Sequence, residues 1–362
     1  MSEIDRLGGG ESVVKAAGTA QRKAEHIRIC LEEEVQGSGI TTGLERYRFR
    51  HLALPELDYQ AIDTRASFLG RAVKVPLLIS SMTGGTDKAG AINELLAEAA
   101  ESRGWAMGLG SMRAAIENEA LADSFRIRRS APSIPVLANL GAAQLRKGYG
   151  VDQCRRAVEL AEADGLVLHL NGLQEVFQAE GDTEWAGLLD RIEDLCRRLE
   201  VPVGVKEVGW GIDGDTAVRL TNAGAAFIDV AGAGGTSWSQ VEKHRGHDPI
   251  RRLAAEAFTD WGNSTAACIV DVRARLPQAV IVASGGLRHG VDAAKAIALG
   301  ANLAGYGRSL LAGAAEGDRE QRAAAVDLQL ERIEFELRAA MFGIGAGSIE
   351  SLRDTQRLVE AR

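Results

Sequence analysis

The sequence predicts an α/β protein built as a (β/α)8 TIM barrel, with an N-terminal helix and hairpin before the barrel and a long C-terminal helix after it. Eight short apolar runs alternate along the chain with helical patterns, which is typical of a parallel sheet. Many of the 42 glycines stand at the ends of apolar runs, as expected of strand-to-loop turns. The first run leads into residues 80–85, which lack the GxGxxG pattern of a doubly wound open sheet. That open sheet is the alternative to a closed barrel.

Length and composition are those of an ordinary globular protein. The 362 residues suit one large domain, and we place a flexible N-terminal extension at 1–19 and a single barrel domain at 20–362. A net charge of −8 disfavours binding to nucleic acid, whereas a local cluster of Lys and Arg can still bind an anionic small molecule. Four scattered cysteines without a CxxC pair weaken zinc and iron–sulfur interpretations. No apolar run approaches the ~18 residues of a membrane span, so we expect a cytoplasmic protein.

Hydrophobic periodicity assigns each element of the predicted barrel. Residues 20–36 are expected to form an amphipathic helix with Ile27, Leu31 and Val35 on one face, and 44–74 a hairpin or lid. The eight strands are expected near 75–81, 106–109, 136–139, 166–170, 203–207, 227–231, 279–283 and 302–306. The helices are expected at 88–103, 116–129, 152–163, 184–199, 213–223, 250–275, 290–299 and 316–341.

Polar side chains follow the fourth strand, in the stretch Leu166 to Glu175. Alternation along a strand puts His169 and Asn171 on one side, and Gln174 and Glu175 then lie in the loop above. The carboxyl ends of all strands of such a barrel meet at its active face, so these groups are candidates for catalysis or binding. Judged alone, the stretch is equally consistent with a strand that ends in a polar turn.

The ends of the last two strands indicate a phosphate site. Gly285-Gly286 and, further on, Gly305 and Gly307 expose backbone N–H groups with no side chain in the way. Lys206, on the otherwise apolar fifth strand, would place a cation in the barrel mouth. These features fit a phosphorylated planar cofactor such as a flavin, whose reduced anionic form a cation would stabilise. The alternatives are glycine turns without a ligand and a lysine that reaches from the rim to solvent.

A second cationic cluster consists of Arg22, Lys23 and Arg113. Two cations at the start of a helix oppose its dipole, which suggests a binding role, although a solvated helix start is the simpler interpretation. Glu175 is a candidate ligand for Mg2+, because one carboxylate with substrate phosphate oxygens and water makes a normal Mg2+ shell. Taken alone, a surface glutamate is the simpler interpretation.

The motifs and their order resemble the type 2, FMN-dependent isopentenyl-diphosphate delta-isomerases, from about Arg22 to Leu352. The motifs that carry this resemblance are Arg22-Lys23-x-Glu25-His26, Ser81-Met82-Thr83-Gly84-Gly85, Gly110-Ser111-Met112-Arg113, Ala138-Asn139-Leu140-Gly141, His169-Leu170-Asn171-x-x-Gln174-Glu175, Lys206-Glu207-Val208-Gly209-x-Gly211, Gly234-Gly235-Thr236-Ser237-Trp238, Asp260-Trp261-Gly262 and Ser284-Gly285-Gly286-x-Arg288. Each motif alone is modest, and together they are specific. The chain differs from the family pattern at Tyr306-Gly307, at Ser309, where a proline is usual, and at Asn263-Ser264-Thr265.

The resemblance implies a set of site residues. FMN would contact Ser81, Met82, Thr83, Ser111, Asn139, Lys206 and Thr236, and its phosphate would lie against Gly285, Gly286, Ala304 and Gly305. A prenyl diphosphate substrate would meet Arg22, Lys23, His26, Ser111, Arg113, Asn171 and Gln174. Glu175 would hold Mg2+, and Gln174 would lie at the reacting carbons as the catalytic residue. The family also implies a homotetramer or larger homo-oligomer, with NADPH or NADH as the reductant.

The function implied by this resemblance is an isomerisation between isopentenyl and dimethylallyl diphosphate by an allylic proton shift. Protonation of an unactivated alkene needs a strong acid, and reduced FMN is a better candidate than any side chain of the predicted pocket. The alternatives are an FMN-dependent oxidase of 2-hydroxy acids, an isomerase of a related prenyl diphosphate, and a barrel that binds a phosphorylated ligand without turnover. The oxidase needs a catalytic histidine after the sixth strand, where the sequence has Thr236-Ser237-Trp238.

Overall fold

The computed structural model describes residues 21–361, which form a closed eight-stranded parallel barrel with helices around it. The predicted extension at 1–19 lies outside these residues and stays a prediction. In chain order the strands are β1 Tyr47–Phe49, β2 Ala66–Phe68, β3 Arg71–Val73, β4 Leu77–Ile79, β5 Ala106–Gly108, β6 Val136–Gly141, β7 Gly165–His169, β8 Val203–Lys206, β9 Phe227–Asp229, β10 Ile281–Ala283, β11 Leu303–Tyr306 and β12 Leu358–Glu360. Strands β4 to β11 form the barrel in sequence order, and β11 pairs with β4 to close it. The predicted (β/α)8 class is therefore confirmed, and each of its eight strands lies within a predicted run or within two residues of one.

The helices alternate with the strands as predicted. They are α1 at 21–32, α2 Asp87–Arg103, α3 Arg113–Glu117, α4 Val151–Ala161, α5 Gly172–Phe177, α6 Leu188–Arg198, α7 Gly214–Asn222, α8 Trp238–Arg245, α9 Pro249–Ala257, α10 Thr265–Arg275, α11 Gly290–Ala298, α12 Arg308–Ala315, α13 Arg319–Ile344 and α14 Ile349–Arg353. Short 3-10 helices lie at Leu44–Arg46, Tyr59–Ala61, Glu119–Phe125 and Ala142–Arg146. None of the helices within 21–361 is both long enough and apolar enough to cross a membrane.

Local sequence explains where several helices begin and end. The long helix α13 begins with a capping box, in which Asp318 and Gln321 bond each other's backbone N–H groups. It ends at Gly345, whose φ of 75° suits glycine far better than other residues. Thr86 caps the start of α2, because its hydroxyl oxygen accepts from the backbone N–H of Ala89.

Two of the predicted helices are wrong in extent. The pattern at 250–275 is two helices, α9 and α10, because Gly262 takes a φ of 127° between them and Ser264 caps the second. The pattern at 116–129 is the end of α3 and the 3-10 helix Glu119–Phe125, because Asn118 is extended and its side chain accepts from Ala120 N–H. Periodicity alone does not detect such interruptions.

A hairpin of β2 and β3 closes the amino-terminal end of the barrel, opposite the strand ends that carry the polar motifs. Phe68 and Val73 from this hairpin are buried with Phe227 inside the barrel. The rings of Phe68 and Phe227 meet edge to face, with centroids 5.2 Å apart. Phe227 occupies space that any side chain at Gly204 would need, since an added Cβ there would lie 2.0 Å from the ring. The predicted hairpin is thus confirmed, and it closes the end of the barrel away from the polar motifs.

The barrel interior has an apolar layer and, above it, a polar one. Every second side chain of a strand points into the barrel. Inward-pointing residues that are two positions apart on each strand therefore belong to successive layers of the interior. The lower layer, which packs against the hairpin, contains Leu78, Ala106, Leu137, Val167, Phe227, Val282 and Leu303. The upper layer, at the carboxyl ends, contains Ser80, Gly108, Asn139, His169, Lys206, Asp229, Ser284 and Gly305. Candidate chemistry therefore lies at one end of a packed barrel.

Replacing Phe68 with alanine should remove the plug without touching the polar layer. We expect Phe68→Ala to lower the free energy of unfolding by about 3–5 kcal/mol, because the ring leaves a cavity against Phe227. Urea denaturation followed by circular dichroism measures this loss. The matched change Phe335→Ala, at a phenylalanine that is 62% exposed, should change stability by no more than about 0.5 kcal/mol. Equal losses in the two variants would contradict the assignment of Phe68 to the barrel core.

Candidate active site

Two adjoining cavities lie over the carboxyl ends of the barrel strands. The larger has a volume of about 540 Å3 and the smaller about 140 Å3. Both are lined by Lys23, His26, Ser81, Met82, Lys206, Val208 and Trp238. One composite site with two compartments therefore occupies the mouth of the barrel.

The structure brings most of the residues predicted for the site to these cavities. Those that line the larger cavity are Lys23, His26, Ser81, Met82, Thr83, Lys206, Thr236, Gly285 and Gly286. Those that line the smaller cavity are Arg22, Lys23, His26, Ser81, Met82, Ser111, Arg113, Asn139, Asn171, Gln174, Glu175 and Lys206. Ala304 and Gly305 line neither one. Ala304 is buried in the core between barrel and helices, because it follows the inward-facing Leu303 and so points outward.

Helix α1 lies beside the mouth and carries three of these side chains, Arg22, Lys23 and His26. Its far end is held by Arg308, which donates to the carbonyl oxygens of Cys30 and Glu33 at 2.8 and 3.3 Å. The motif that contains Arg22, Lys23 and His26 is therefore distant in sequence from the residues of the barrel strands. Only the packing of α1 against the barrel brings these side chains to the site.

Lys23 has an environment that favours its neutral form. Its ammonium donates to the carbonyl oxygen of Ser111 and lies 5.2 Å from the ring centroid of Phe125. Removal from water, reinforced by the adjacent charge of Arg22, lowers the pKa of Lys23 to about 7, and Glu117 opposes this only in part. An anion bound in the smaller cavity would reverse this shift.

His169 is neutral in this site. Its Nδ1 lies 2.8 Å from the Oδ1 of Asn139, inside the upper layer of the barrel. Burial, with the charges of Lys206, Lys23 and Arg22, lowers the pKa of His169 to about 3. A neutral imidazole in a cationic pocket is a hydrogen-bonding group here and not a strong acid.

Gln174 and Glu175 lie in the first turns of α5, and not in a loop as the sequence suggested, because the chain turns directly from β7 into a helix. The Nδ2 of Asn171 donates to Glu175 Oε1 at 2.7 Å and lies 3.3 Å from Gln174 Oε1. The Oδ1 of Asn171 is buried and has no partner within residues 21–361. Burial raises the pKa of Glu175, although the N–H of Asp182 and the amide of Asn171 offset part of the effect. The lining of the smaller cavity thus includes one unpaired amide oxygen, on the residue that bonds the carboxylate of Glu175.

Glu242 on α8 is a central residue of the site that the sequence did not reveal. It is buried, and its Oε1 accepts from Gln174 Nε2 and lies beside His26 Nε2, both at 3.0 Å. Its Oε2 accepts from Arg245 at 2.7 Å. Burial alone would raise the pKa of Glu242, but His26, Arg245 and Gln174 outweigh burial and hold it at about 2. No motif or periodicity marks this residue, because its importance comes from contacts between α1, α5 and α8.

The floor of the mouth contains a further buried carboxylate, that of Asp229. Asp229 pairs in register with Lys206 on the neighbouring strand and accepts from the hydroxyl of Ser284 at 2.6 Å. Glu207, next to Lys206, accepts four backbone N–H bonds from residues 208–211 and so shapes the loop that lines both cavities. Lys206 itself is buried, and its ammonium donates to the carbonyl oxygen of Glu207.

The larger cavity fits a phosphorylated flavin. At its rim the backbone of Gly234 and Gly235 packs closely against that of Gly286. A Cβ at Gly286 would lie 2.6 Å from the carbonyl oxygen of Gly234, and one at Gly235 would lie 2.6 Å from Gly286 N. Glycines at these places leave backbone N–H groups open to an anion. The volume suits a drug-sized ring system. For a metal ion, the residues within 21–361 contain no group of three or more His, Cys, Asp or Glu side chains, so a cation would depend on Glu175 and on oxygens of a ligand.

Comparison with known proteins gives a consistent result. The family model of the FMN-dependent dehydrogenases matches residues 145–359. The isopentenyl-diphosphate delta-isomerase of Oceanobacillus iheyensis is 51% identical over 341 residues, which cover 94% of this chain and 96% of that protein. The enzyme of the same name from a Nostoc species is 50% identical over 343 residues, which cover 95% of this chain and 97% of that protein.

Solved structures match the fold at low identity. An oxidised active mutant of (S)-mandelate dehydrogenase superposes with a TM-score of 0.65 at 18% identity, covering 96% of this chain and 99% of that one. A lactate oxidase of Pediococcus acidilactici superposes with a TM-score of 0.64 at 17% identity, covering 90% of this chain and 88% of that one. These likenesses concern the barrel alone.

Lys23 should make binding of pyrophosphate depend on pH. Above about pH 7 the unliganded lysine is neutral, so a bound anion must recruit a proton, and affinity should fall by up to about tenfold for each pH unit. We expect the ratio of the dissociation constants of wild type and Lys23→Arg to be flat below about pH 7 and to rise above it. Calorimetry across that range measures the ratio, in which the ionisation of pyrophosphate itself cancels. A ratio that does not change with pH would contradict the depressed pKa of Lys23.

Proposed function

The chain belongs to the type 2 family of isopentenyl-diphosphate delta-isomerases, and we propose that it interconverts isopentenyl and dimethylallyl diphosphate with FMN and Mg2+. The observation that carries this proposal is the contact between the two cavities. A compartment suited to a flavin shares a wall with a cationic compartment suited to a diphosphate. The shared wall contains Met82, Lys206 and Trp238, and Gln174 lines the smaller compartment beside it.

The smaller cavity has the charges that a diphosphate requires. Arg22, Lys23 and Arg113 supply cations from α1 and α3, and Ser111 and Asn171 add neutral hydrogen-bonding groups. Arg113 is held in place by Glu117, which accepts from its Nε at 2.7 Å. Binding of the diphosphate by these groups would place the five-carbon chain towards Gln174 and the larger cavity.

The side chains near Gln174 position the alkene and do not protonate it. Glu242 is ionised over the whole neutral range and His169 is neutral, so neither can donate a proton to an unactivated double bond. Reduced FMN, when bound, would supply the acid–base group, and no net oxidation of the substrate takes place. Lys206 would stand at the pyrimidine edge of the flavin and stabilise its anionic form. Gln174, held by Glu242 and Asn171, would fix the orientation of the reacting carbons.

Glu175 is the candidate ligand for Mg2+. A metal ion there would replace the hydrogen bond that Asn171 now donates to Glu175 and would have the unpaired Oδ1 of Asn171 close by. Its other ligands would be water and diphosphate oxygens. We propose in addition that the enzyme acts as a homo-oligomer, commonly a tetramer, in the cytoplasm and that NADPH or NADH reduces its flavin. The oligomer and the reductant rest on family resemblance.

Anaerobic turnover of isopentenyl diphosphate tests the proposal. Protein supplied with FMN, Mg2+ and NADPH should form dimethylallyl diphosphate, and omission of any one should abolish or strongly reduce the rate. Lactate and glycolate serve as controls, because a 2-hydroxy-acid oxidase would oxidise them in the presence of oxygen. A protein that binds no FMN, or that oxidises these acids and leaves the diphosphate unchanged, would overturn the proposal.

Gln174→Ala should separate catalysis from cofactor binding. We expect kcat to fall about a hundredfold or more, because the alkene loses its positioning group, while the stoichiometry of bound FMN stays the same. Absorbance of the flavin and a steady-state assay measure the two quantities. The matched variant Gln240→Ala truncates a buried glutamine of α8 that lines neither cavity, and it should keep most of its activity. Comparable losses of kcat in both variants would show that Gln174 acts only through the fold.

A further inference from the structure

One face of α8 carries three side chains towards the mouth of the barrel. Trp238, Glu242 and Arg245 are spaced by four and three residues, which places them on the same side of a helix. Trp238 lines both cavities, and Glu242 contacts Gln174 and His26. Arg245, the last residue of the helix, lines neither cavity, so its effect on the site passes through its neighbours.

Arg245 is held by carboxylates from three different segments. Its Nε donates to Glu242 Oε2 at 2.7 Å, and its Nη2 lies 2.9 Å from Glu180 Oε1 in the segment after α5. Its Nη1 lies 4.0 Å from Glu25 Oε2 on α1. Only 13% of the Arg245 side chain is exposed, so the guanidinium is largely shielded from water. The planar fork of Arg245 therefore has a fixed position relative to the helices around the smaller cavity.

The carboxylate of Glu242 is ionised and acts only as an acceptor. Burial raises the pKa of Glu242, but His26, Arg245 and Gln174 together lower it to about 2. With Oε2 bound to Arg245, the other oxygen accepts from His26 and Gln174, each at 3.0 Å. An ionised carboxylate has no proton to donate, so only the NH2 group of Gln174 can face it.

The other end of the Gln174 amide then faces a donor. Its Oε1 lies 3.3 Å from Asn171 Nδ2, which also donates to Glu175 at 2.7 Å. A reversed amide would set two donors against each other at Asn171 and two acceptors against each other at Glu242. A neutral, protonated Glu242 could donate to the reversed amide and would tolerate both directions. The positive charge of Arg245 opposes that protonation.

We propose that Arg245 is a positioning residue of the isomerase: acting through Glu242, it fixes the direction of the Gln174 amide at the reacting carbons. This inference rests on the proposed function, in which Gln174 orients the alkene. Arg245 itself touches neither substrate nor flavin in this arrangement. Its loss would leave Glu242 buried without its guanidinium partner, so Glu242 would take up a proton more readily and the amide would be free to reverse.

Steady-state isomerisation by Arg245→Ala tests this role. We expect kcat to fall about tenfold to a hundredfold, because the amide of Gln174 is no longer confined to one direction. The stoichiometry of bound FMN should stay as in wild type, and flavin absorbance measures it. Free guanidinium, at concentrations that leave the wild-type rate unchanged, should restore part of kcat, because it can occupy the space between Glu242 and Glu180.

A double-mutant cycle distinguishes positioning from a general effect on the fold. In a Gln174→Ala background, Arg245→Ala should change kcat by less than about threefold, because the amide that it orients is absent. Losses of kcat that multiply in the double variant, or an Arg245→Ala enzyme with wild-type kcat, would overturn the assignment. Arg245→Met keeps the apolar stem and replaces Arg245→Ala in the cycle if the alanine variant does not fold.

Arg128→Ala is the matched control. The Arg128 side chain is also 13% exposed and lies 2.9 Å from a carboxylate, that of Asp164, which precedes β7 at the opposite end of the barrel. Its kcat per bound FMN should stay within about twofold of wild type, and guanidinium should not change it. A comparable loss of kcat in Arg128→Ala would overturn the assignment to the Gln174 amide. Wild-type protein without isomerase activity would instead overturn the proposed function, so the two failures are distinguishable.

Discussion

The barrel interior has to change from apolar to polar within two residues of each strand, and the rest of the structure depends on that change. Inward positions of a closed barrel alternate, so the layer containing Phe227 lies directly beneath the layer containing Asn139, His169 and Lys206. The hairpin of β2 and β3 keeps water from the lower layer by placing Phe68 against Phe227. The polar groups above it can then form hydrogen bonds with one another and not with bulk water. The hydrogen bonds between Asn139 and His169 and between Ser284 and Asp229 are examples.

Charge is distributed unevenly over this polar layer and its surroundings. The larger cavity is lined by cations and by unpaired donors, whereas the smaller cavity also contains Glu175 and borders on Glu242. Glu242 stays ionised because it is bound to His26, Gln174 and Arg245 and so does not need water as a partner. A flavin phosphate and a metal-bound diphosphate would therefore find different surroundings in compartments that share one wall. This separation would allow the two proposed anions to occupy the same barrel mouth.

Helix α1 is held to the barrel by the burial of Ile27 and Ile29 and by polar contacts at both of its ends. Lys23 bonds the loop after β5, His26 contacts Glu242, and Arg308 binds the carbonyl oxygens at the other end. Each contact joins α1 to a different part of the site. The position of α1 therefore depends on residues beside the larger cavity and on residues beside the smaller one. Two cations near a helix start are unfavourable in isolation, and their place in the binding site accounts for them.

The amino-acid sequence by itself determined the barrel and most of the residues at its mouth. Alternation and glycine placement are local properties, so the eight strands, the hairpin and residues such as Lys206 and Gly285 could be predicted before any contact was known. Tertiary structure decided what local patterns do not contain. It put Gln174 on a helix, turned Ala304 away from the cavities, and brought Glu242 from α8 into contact with α1 and α5. The depressed pKa of Lys23 and the unpaired donors of Ser80, Arg308 and Ser309 likewise arise from burial between distant segments, which no single stretch of sequence encodes.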